Sequence, residues 1–309
     1  MSSHLENISF VGAESGPAAR ASGTAPRARR TVRGQLPPWA RLLEAGAPGA
    51  TAGGSGLDPL IHWLLRRAGL NPHVYRRRTL ERRLASCRRQ LGTGHLAVAQ
   101  TLVEQDPRLL AAALNSLLIG VTEFFRDPRV FEELRHAVLP ELLRTRLGVR
   151  VYAPGVSAGQ ELYSVAMLLA ECQALARSEL TGLDCRPDAI AWARAGIFPD
   201  EAMAGVPPAW RVRYFVPQGG GWQVRPELQE AVRFEVGDLF RHTSLALWDV
   251  ILFRNVAIYF DSAHAVRAWE LLCGQLAPGG YFVAGKAEKP PAHLPLERVA
   301  PSIYRKQFA

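Results

Sequence analysis

The sequence predicts an open, doubly wound α/β domain preceded by a small all-α unit, and three observations carry that prediction. Residues 149–170, VRVYAPGVSAGQELYSVAMLLA, read as a strand, a turn through Pro154, Gly155, Ser157 and Gly159, and a helix. A second apolar run, LTGLD, ends on Asp184. Further on, WDVILFRNVAIYFD reads as a buried strand running into a polar loop. Glycines let a backbone approach a ligand closely, and a helix start offers N–H groups with no intrahelical partner. The stretch is therefore the opening of a nucleotide-type site, with the Asp184 carboxylate in reach of a ribose hydroxyl. Gly155-x-x-x-Gly159 is only part of a dinucleotide fingerprint, and a strand–turn–helix without a ligand is the plain alternative.

The chain of 309 residues has room for one large or two modest domains. It is 48% hydrophobic, yet no apolar run reaches the roughly 18 residues that span a bilayer. No basic-then-apolar signal pattern opens the sequence, so a cytoplasmic protein without membrane insertion is expected. Cys87, Cys172, Cys185 and Cys273 are scattered with no CxxC pair, which points to reduced thiols rather than a zinc site or disulfides. The formal net charge is +9, and it is concentrated. Residues 61–90 hold nine Arg and one acid, Glu81, so this block accounts for +8. Charge gathered in this way calls for a partner more than diffuse charge does.

Residues 1–56, rich in Ala, Gly, Pro, Ser and Arg, read as a disordered tail with a short helix at 39–44. From 57 to 140 the pattern is helical. Asp58 before Pro59 is an N-cap and first-turn pair. Residues 74–91 then put Leu80, Leu84, Cys87 and Leu91 on one stripe, with Arg78, Arg82 and Arg89 opposite it. That outward basic face suits an acidic partner; an ordinary solvated face is the alternative. Helices at 94–104 and 107–118 complete the unit. In GVTEFFRDP, 120–128, Phe124 and Phe125 should anchor the segment in a core, with Thr122, Arg126 and Asp127 interleaved. Arg126 could orient a carboxylate or simply pair with Asp127. A helix at 130–144 leads into the 141–309 domain. After Asp184 come a helix at 187–195 and an interruption at 206–232, where Gly219–Gly221 between aromatic runs suggests a hairpin. Strands follow at 232–236 and 248–253, then a helix at 263–276, a turn at 278–280, a strand at 281–285 and a closing antiparallel pair.

Six motifs, GVTEFFRDP, SAGQELYSVAM, LDCRPDAIAWARAGIF, FEVGDLF, FRNVAIYFD and LAPGGYFVAGKAE, stand in the order found in one family. From about residue 57 onward the chain resembles the CheR family of chemotaxis receptor protein-glutamate O-methyltransferases. The resemblance implies a class I methyltransferase domain with a β-subdomain insertion, using S-adenosylmethionine and releasing S-adenosylhomocysteine, with no metal. It places Gly120, Thr122 and Arg126 over the methionine end of the cofactor. Glu161 would lie at its amino group, Asp184 at the ribose, and Asp238 and Leu239 at the adenine, with Arg254 and Asn255 completing the pocket. Arg126 and Tyr259 would be catalytic. The implied partner is the acidic helical cytoplasmic region of methyl-accepting chemotaxis receptors, docked on Arg78, Arg82 and Arg89 by a monomer that takes no nucleic acid.

Several positions depart from the family's usual pattern. Gly120 replaces an Asn and is expected to leave room for water. Gln160 and Leu162 replace an acid and a Pro, Arg186 replaces the second acid of D-x-D, and Asp238 replaces an Asn. Phe253 stands for a Cys, and Lys286 for a small or polar residue. Two other functions fit the same residues: a non-catalytic regulator that binds S-adenosylmethionine or S-adenosylhomocysteine, and a methyltransferase redirected to another substrate.

Overall fold

The computed structural model describes residues 56–118, 120, 122–242 and 246–308. The expectations for the tail, apart from Gly56, lie outside the described residues. The helical unit comprises α1 (Pro59–Arg67), α2 (Arg77–Glu81), α3 (Leu84–Leu91), α4 (Leu96–Gln105) and α5 (Arg108–Leu117). Asp58 caps α1 as expected, accepting from Leu60 N at 2.9 Å, and Pro59 occupies the first turn. The stripe holds: Leu80, Cys87 and Leu91 are buried, and Arg78, Arg82 and Arg89 are exposed. The single helix expected at 74–91 is instead two. Arg83 N reaches Leu80 O, three residues back, which tightens the chain into a turn between α2 and α3.

The linker forms α6 (Pro128–Glu133), a π-helical turn (Leu134–Val138) and α7 (Leu139–Thr145). The sheet strands are β1 (Arg150–Pro154), β2 (Glu179–Asp184), β6 (Val232–Val236), β7 (Trp248–Phe253), β8 (Leu276–Ala284), β9 (Leu296–Ala300) and β10 (Ile303–Lys306). They lie in the order β6-β2-β1-β7-β8-β10-β9. The first five are parallel, and β10 and β9 close the edge antiparallel. β7 is buried at every position, and helix α8 (Gln160–Glu171) buries Gln160 and residues 162–169, as elements covered on all sides must. The order reverses at β1, between β2 and β7, which is the switch point where open α/β sheets bind ligands beyond the strands' carboxyl ends.

Helix α9 (Pro187–Ala195) matches the expected span. The hairpin is present as β4 (Phe215–Gln218) and β5 (Gly221–Val224), joined by β3 (Ile197–Pro199) into a second, three-stranded sheet. The aromatic run before the glycines is strand only from Phe215; before it lies helix α10 (Pro208–Tyr214): Pro208 starts it, and Trp210 packs edge-on against Tyr214 at 6.0 Å, one turn later. Helices α11 (Pro226–Glu230) and α12 (Ser262–Gln275) complete the domain. The turn expected at 278–280 lies within β8, where the β7–β8 register shifts and Gly279 takes φ +70°. Among the described residues, no helix is long and apolar enough to cross a membrane.

Candidate functional site

The turn after β1 is built from left-handed residues: Gly155 (φ +77°), Ser157 (φ +53°) and Gly159 (φ +87°). Its N–H groups turn towards β2. Gly155 N and Val156 N donate to Leu183 O at 2.7 and 3.0 Å, and Ser157 N donates to Asp184 Oδ2 at 2.9 Å. A Cβ at Gly159 would press on the Phe234 ring, so the tight start of α8 needs glycine there. The segment before α6 is also strained, with Phe125 at φ +53° and Asp127 at φ +57° on either side of Arg126. Burial of the two phenylalanines holds it in place. Phe124 packs edge-on against Phe198 and Phe215 at 4.9 and 5.4 Å, and Phe125 against Phe131 and Trp210 at 5.4 and 5.6 Å. The expected anchoring role of Phe124 and Phe125 is met.

These elements enclose a cleft of about 300 Å³ beyond the carboxyl ends of the parallel strands. Residues 153–157, 183–186 and 237–239 line it, with Arg254, Asn255 and Tyr259 after β7. Gly120, Thr122, Arg126 and Glu161 line it as well. Every residue named from the sequence as cofactor-binding or catalytic therefore reaches one cavity. Arg78, Arg82 and Arg89 do not; they lie on the exposed face of the helical unit.

The charges at the cleft are paired in a way the sequence did not disclose. Arg254, with 1% of its side chain exposed, places Nη1 3.0 Å from Glu161 Oε2 and donates from Nη2 to Asp127. Asp127 is thus the partner of Arg254. Burial pushes the Glu161 carboxyl above its usual range, against the opposing pull of Arg254 and Arg126. Burial likewise raises the Tyr259 hydroxyl, despite Arg83, Arg186 and Arg126, so at neutral pH it is protonated and can donate. Asp184 is enclosed: Arg186 donates to Oδ1 from N and Nε, both at 3.0 Å, and to Oδ2 from Nη2 at 3.2 Å. The space above Gly120, expected to admit water, is taken. A Cβ there would overlap Ser157 Oγ and Arg186 Nη2. Asp238 Oδ1 accepts from Phe240 N at 3.0 Å, which shapes the loop after β6.

Tyr75, Arg83 and Glu288 escaped the sequence reading as site residues. Tyr75 and Arg83 reach the cleft from the helical unit. Three hydrogen bonds explain how: Arg76 N donates to Tyr259 O at 2.7 Å, Asp261 N to Val74 O at 3.0 Å, and the Thr79 side chain from Oγ1 to Ile258 O at 3.4 Å. Glu288 Oε2 accepts from Asn255 N at 2.6 Å and Gly285 N at 3.0 Å, which fixes the loop that carries Arg254, Asn255 and Tyr259. Asn255 itself is left-handed at φ +59°. The presence of Glu288 in LAPGGYFVAGKAE was the one available signal for it.

Comparison with known proteins agrees with this architecture. A family model described as CheR methyltransferase, SAM binding domain, matches residues 120–302. A probable chemotaxis protein methyltransferase of Rhizobium etli is 33% identical over 195 residues, spanning 57% of this chain and 70% of that one. Chemotaxis protein methyltransferase 1 of Pseudomonas aeruginosa is 32% identical over 220 residues, spanning 67% and 80%. A 104.1 kDa protein from the hypE 3' region of Rhodobacter capsulatus is 30% identical over 249 residues; that match takes in 75% of this chain but only 26% of the relative's own length. The chain belongs to the CheR methyltransferase family, and residues 120–302 match its S-adenosylmethionine-binding domain.

Proposed function

We propose that this protein transfers a methyl group from S-adenosylmethionine to glutamate side-chain carboxylates on acidic, helical, receptor-type partners, giving glutamate methyl esters. The observation that carries the reading is the convergence of Arg126, Tyr259, Glu161, Arg254 and Asn255 on one cavity at the sheet's switch point. The cleft suits the cofactor. Thr122 Oγ1 and Asn255 Oδ1 are buried without a hydrogen-bond partner among the described residues, leaving acceptors for an ammonium or hydroxyl donor. Glu161 adds a carboxylate for the methionine amino group, and Asp238 and Leu239 stand at the adenine end. When bound, S-adenosylmethionine supplies a methyl group made electrophilic by its sulfonium.

Arg126 and Tyr259 hold and aim the acceptor carboxylate, Arg126 by charge and Tyr259 through its protonated hydroxyl. A glutamate is already ionised at neutral pH, so no residue here has to take a proton. Positioning is then the main task. The Glu288 clasp and the ties to α2 serve it by fixing the loop under Tyr259. Arg126→Ala and Tyr259→Phe should each lower kcat about tenfold or more, as loss of a hydrogen bond set for the transition state does. Calorimetric affinity for S-adenosylhomocysteine should move less than threefold, roughly 0.6 kcal/mol. Wild-type kcat in both variants would remove the proposed roles.

Substrate class follows from the exposed Arg78, Arg82 and Arg89. A basic face steers an acidic helix bundle at long range, and salt screens the attraction. Reversing all three to Glu should slow methylation through the association rate and leave cofactor affinity unchanged. Methylation whose rate is indifferent to salt between about 50 and 300 mM would argue against docking there.

Glu161 gives a pH test. Its carboxyl is raised by burial, so on acidification it takes a proton before an ordinary Glu would and loses its hold on an ammonium. Affinity for S-adenosylhomocysteine, measured from about pH 8 down to about pH 5, should fall with a midpoint above the ordinary Glu range near 4.3. Glu161→Gln should flatten that profile at weak affinity; a flat wild-type profile would contradict the assignment.

A further inference from the structure

The Asp184 carboxylate has no vacant acceptor position. A carboxylate offers about four lone-pair sites, and here four donors meet it: Arg186 N, Nε and Nη2, and Ser157 N. The pair is enclosed, with Asp184 5% and Arg186 7% exposed. The two-pronged contact is the strong form of a guanidinium–carboxylate pair. Its place depends on Gly120, where any Cβ would overlap Arg186 Nη2. A ribose diol therefore meets a carboxylate already saturated by its own chain.

We propose that Arg186 is the specificity-determining residue of the nucleoside edge, competing with the ligand's ribose hydroxyls for Asp184, and that Gly120 is the residue that lets it do so. The inference rests on the S-adenosylmethionine reading above. A second cavity of about 250 Å³ offers room for a displaced guanidinium. Arg186 and Gly120 line it as well as the cleft, so the side chain stands between the two. The second cavity is also lined by Gln160, 8% exposed, whose Oε1 has no hydrogen-bond partner among the described residues. Asn115 Oδ1 is a second such acceptor on the same wall. A guanidinium that leaves Asp184 has buried acceptors to move to, and the ribose then takes the carboxylate.

Removing the competitor should strengthen binding, the opposite of what loss of a merely structural ion pair would do. Calorimetry would compare S-adenosylhomocysteine with its 2'-deoxy and 3'-deoxy analogues on the full chain. Arg186→Ala should bind S-adenosylhomocysteine about tenfold tighter than wild type, as one charge-assisted hydrogen bond gained implies. The gain should shrink to less than about twofold for the deoxy analogues. Arg186→Lys, which keeps the charge without the fork, should show a smaller gain of the same kind. Gly120→Ala, which pushes the guanidinium from the other side, should move in the same direction and guards against misfolding of the Arg186 variants. Gln160→Leu should weaken wild type and leave Arg186→Ala unchanged.

Weaker binding to Arg186→Ala and Gly120→Ala, or an equal gain for ribose and deoxyribose ligands, would overturn the proposal while leaving the cofactor reading intact. Failure of wild type and every variant to bind S-adenosylhomocysteine or S-adenosylmethionine would overturn the cofactor reading itself, and this proposal with it.

Discussion

Arg254→Ala should destabilise the fold by ~3 kcal/mol and abolish measurable cofactor binding, one of two strong effects expected at this site. Arg254 lies between two carboxylates, with Nη1 3.0 Å from Glu161 and Nη2 bonded to Asp127. Its guanidinium also sits over the Phe131 ring at 5.7 Å. Breaking a buried pair costs ~3–5 kcal/mol because an uncompensated charge stays behind. The low end applies because the Asp127 side chain is 39% exposed and can rehydrate. Glu161, at 14%, cannot. Burial already pushes its carboxyl upward and Arg254 is the main opposing influence, so Glu161 in the variant takes a proton at higher pH and no longer offers a charge to an ammonium. Thermal melts and calorimetry with S-adenosylhomocysteine would read both effects. Wild-type melting temperature and affinity would contradict the arrangement.

Glu288→Ala should cost ~2–4 kcal/mol, the sum of two buried N–H groups left unpaired at ~1–3 kcal/mol each with partial relaxation. Those groups belong to Asn255 and Gly285, at the ends of β7 and β8. For a domain of this size, that loss lowers the melting temperature by roughly 5–15 °C. Activity should fall further than stability alone explains, because the released loop carries Arg254, Asn255 and Tyr259. Glu288→Gln retains one acceptor oxygen in place and should recover most of the melting temperature and turnover. If the Ala variant matched wild type in both, Glu288 would not be the clasp of this loop.

What was legible from sequence was local. The strand–turn–helix at 149–170, the Asp58 cap and the 187–195 helix follow from periodicity and from glycine and proline placement within a few residues, and the structure holds them there. The membership of the cleft was legible too, because the motifs named residues that the sheet topology brings together. Contacts between distant segments were not. The break between α2 and α3 accompanies hydrogen bonds to residues 258–261 that no pattern within 74–91 encodes. Arg186 reads only as a replacement for the second acid of D-x-D, and nothing local shows that its side chain turns onto Asp184 in the space Gly120 leaves. Glu288 has no local periodicity to mark it, and its role comes from two backbone N–H groups at strand ends. Residues 211–214 of the aromatic run are helix for a simpler reason: the prolines at 207 and 208 start a helix that holds to Tyr214, and the strand begins only at Phe215.

Methyl transfer itself tests the central claim most directly. Wild-type protein incubated with S-adenosylmethionine labelled in the methyl group, and with acidic helical cytoplasmic fragments of chemotaxis-type receptors, should label the fragment. Mild base should then release the label as methanol, as a carboxyl ester requires. Glu→Gln substitution at the acceptor positions should remove the signal, and Arg126→Ala should lower it about tenfold or more. Label that stays on the fragment through base treatment, or no label in any fragment despite tight cofactor binding, would contradict glutamate ester formation by this chain.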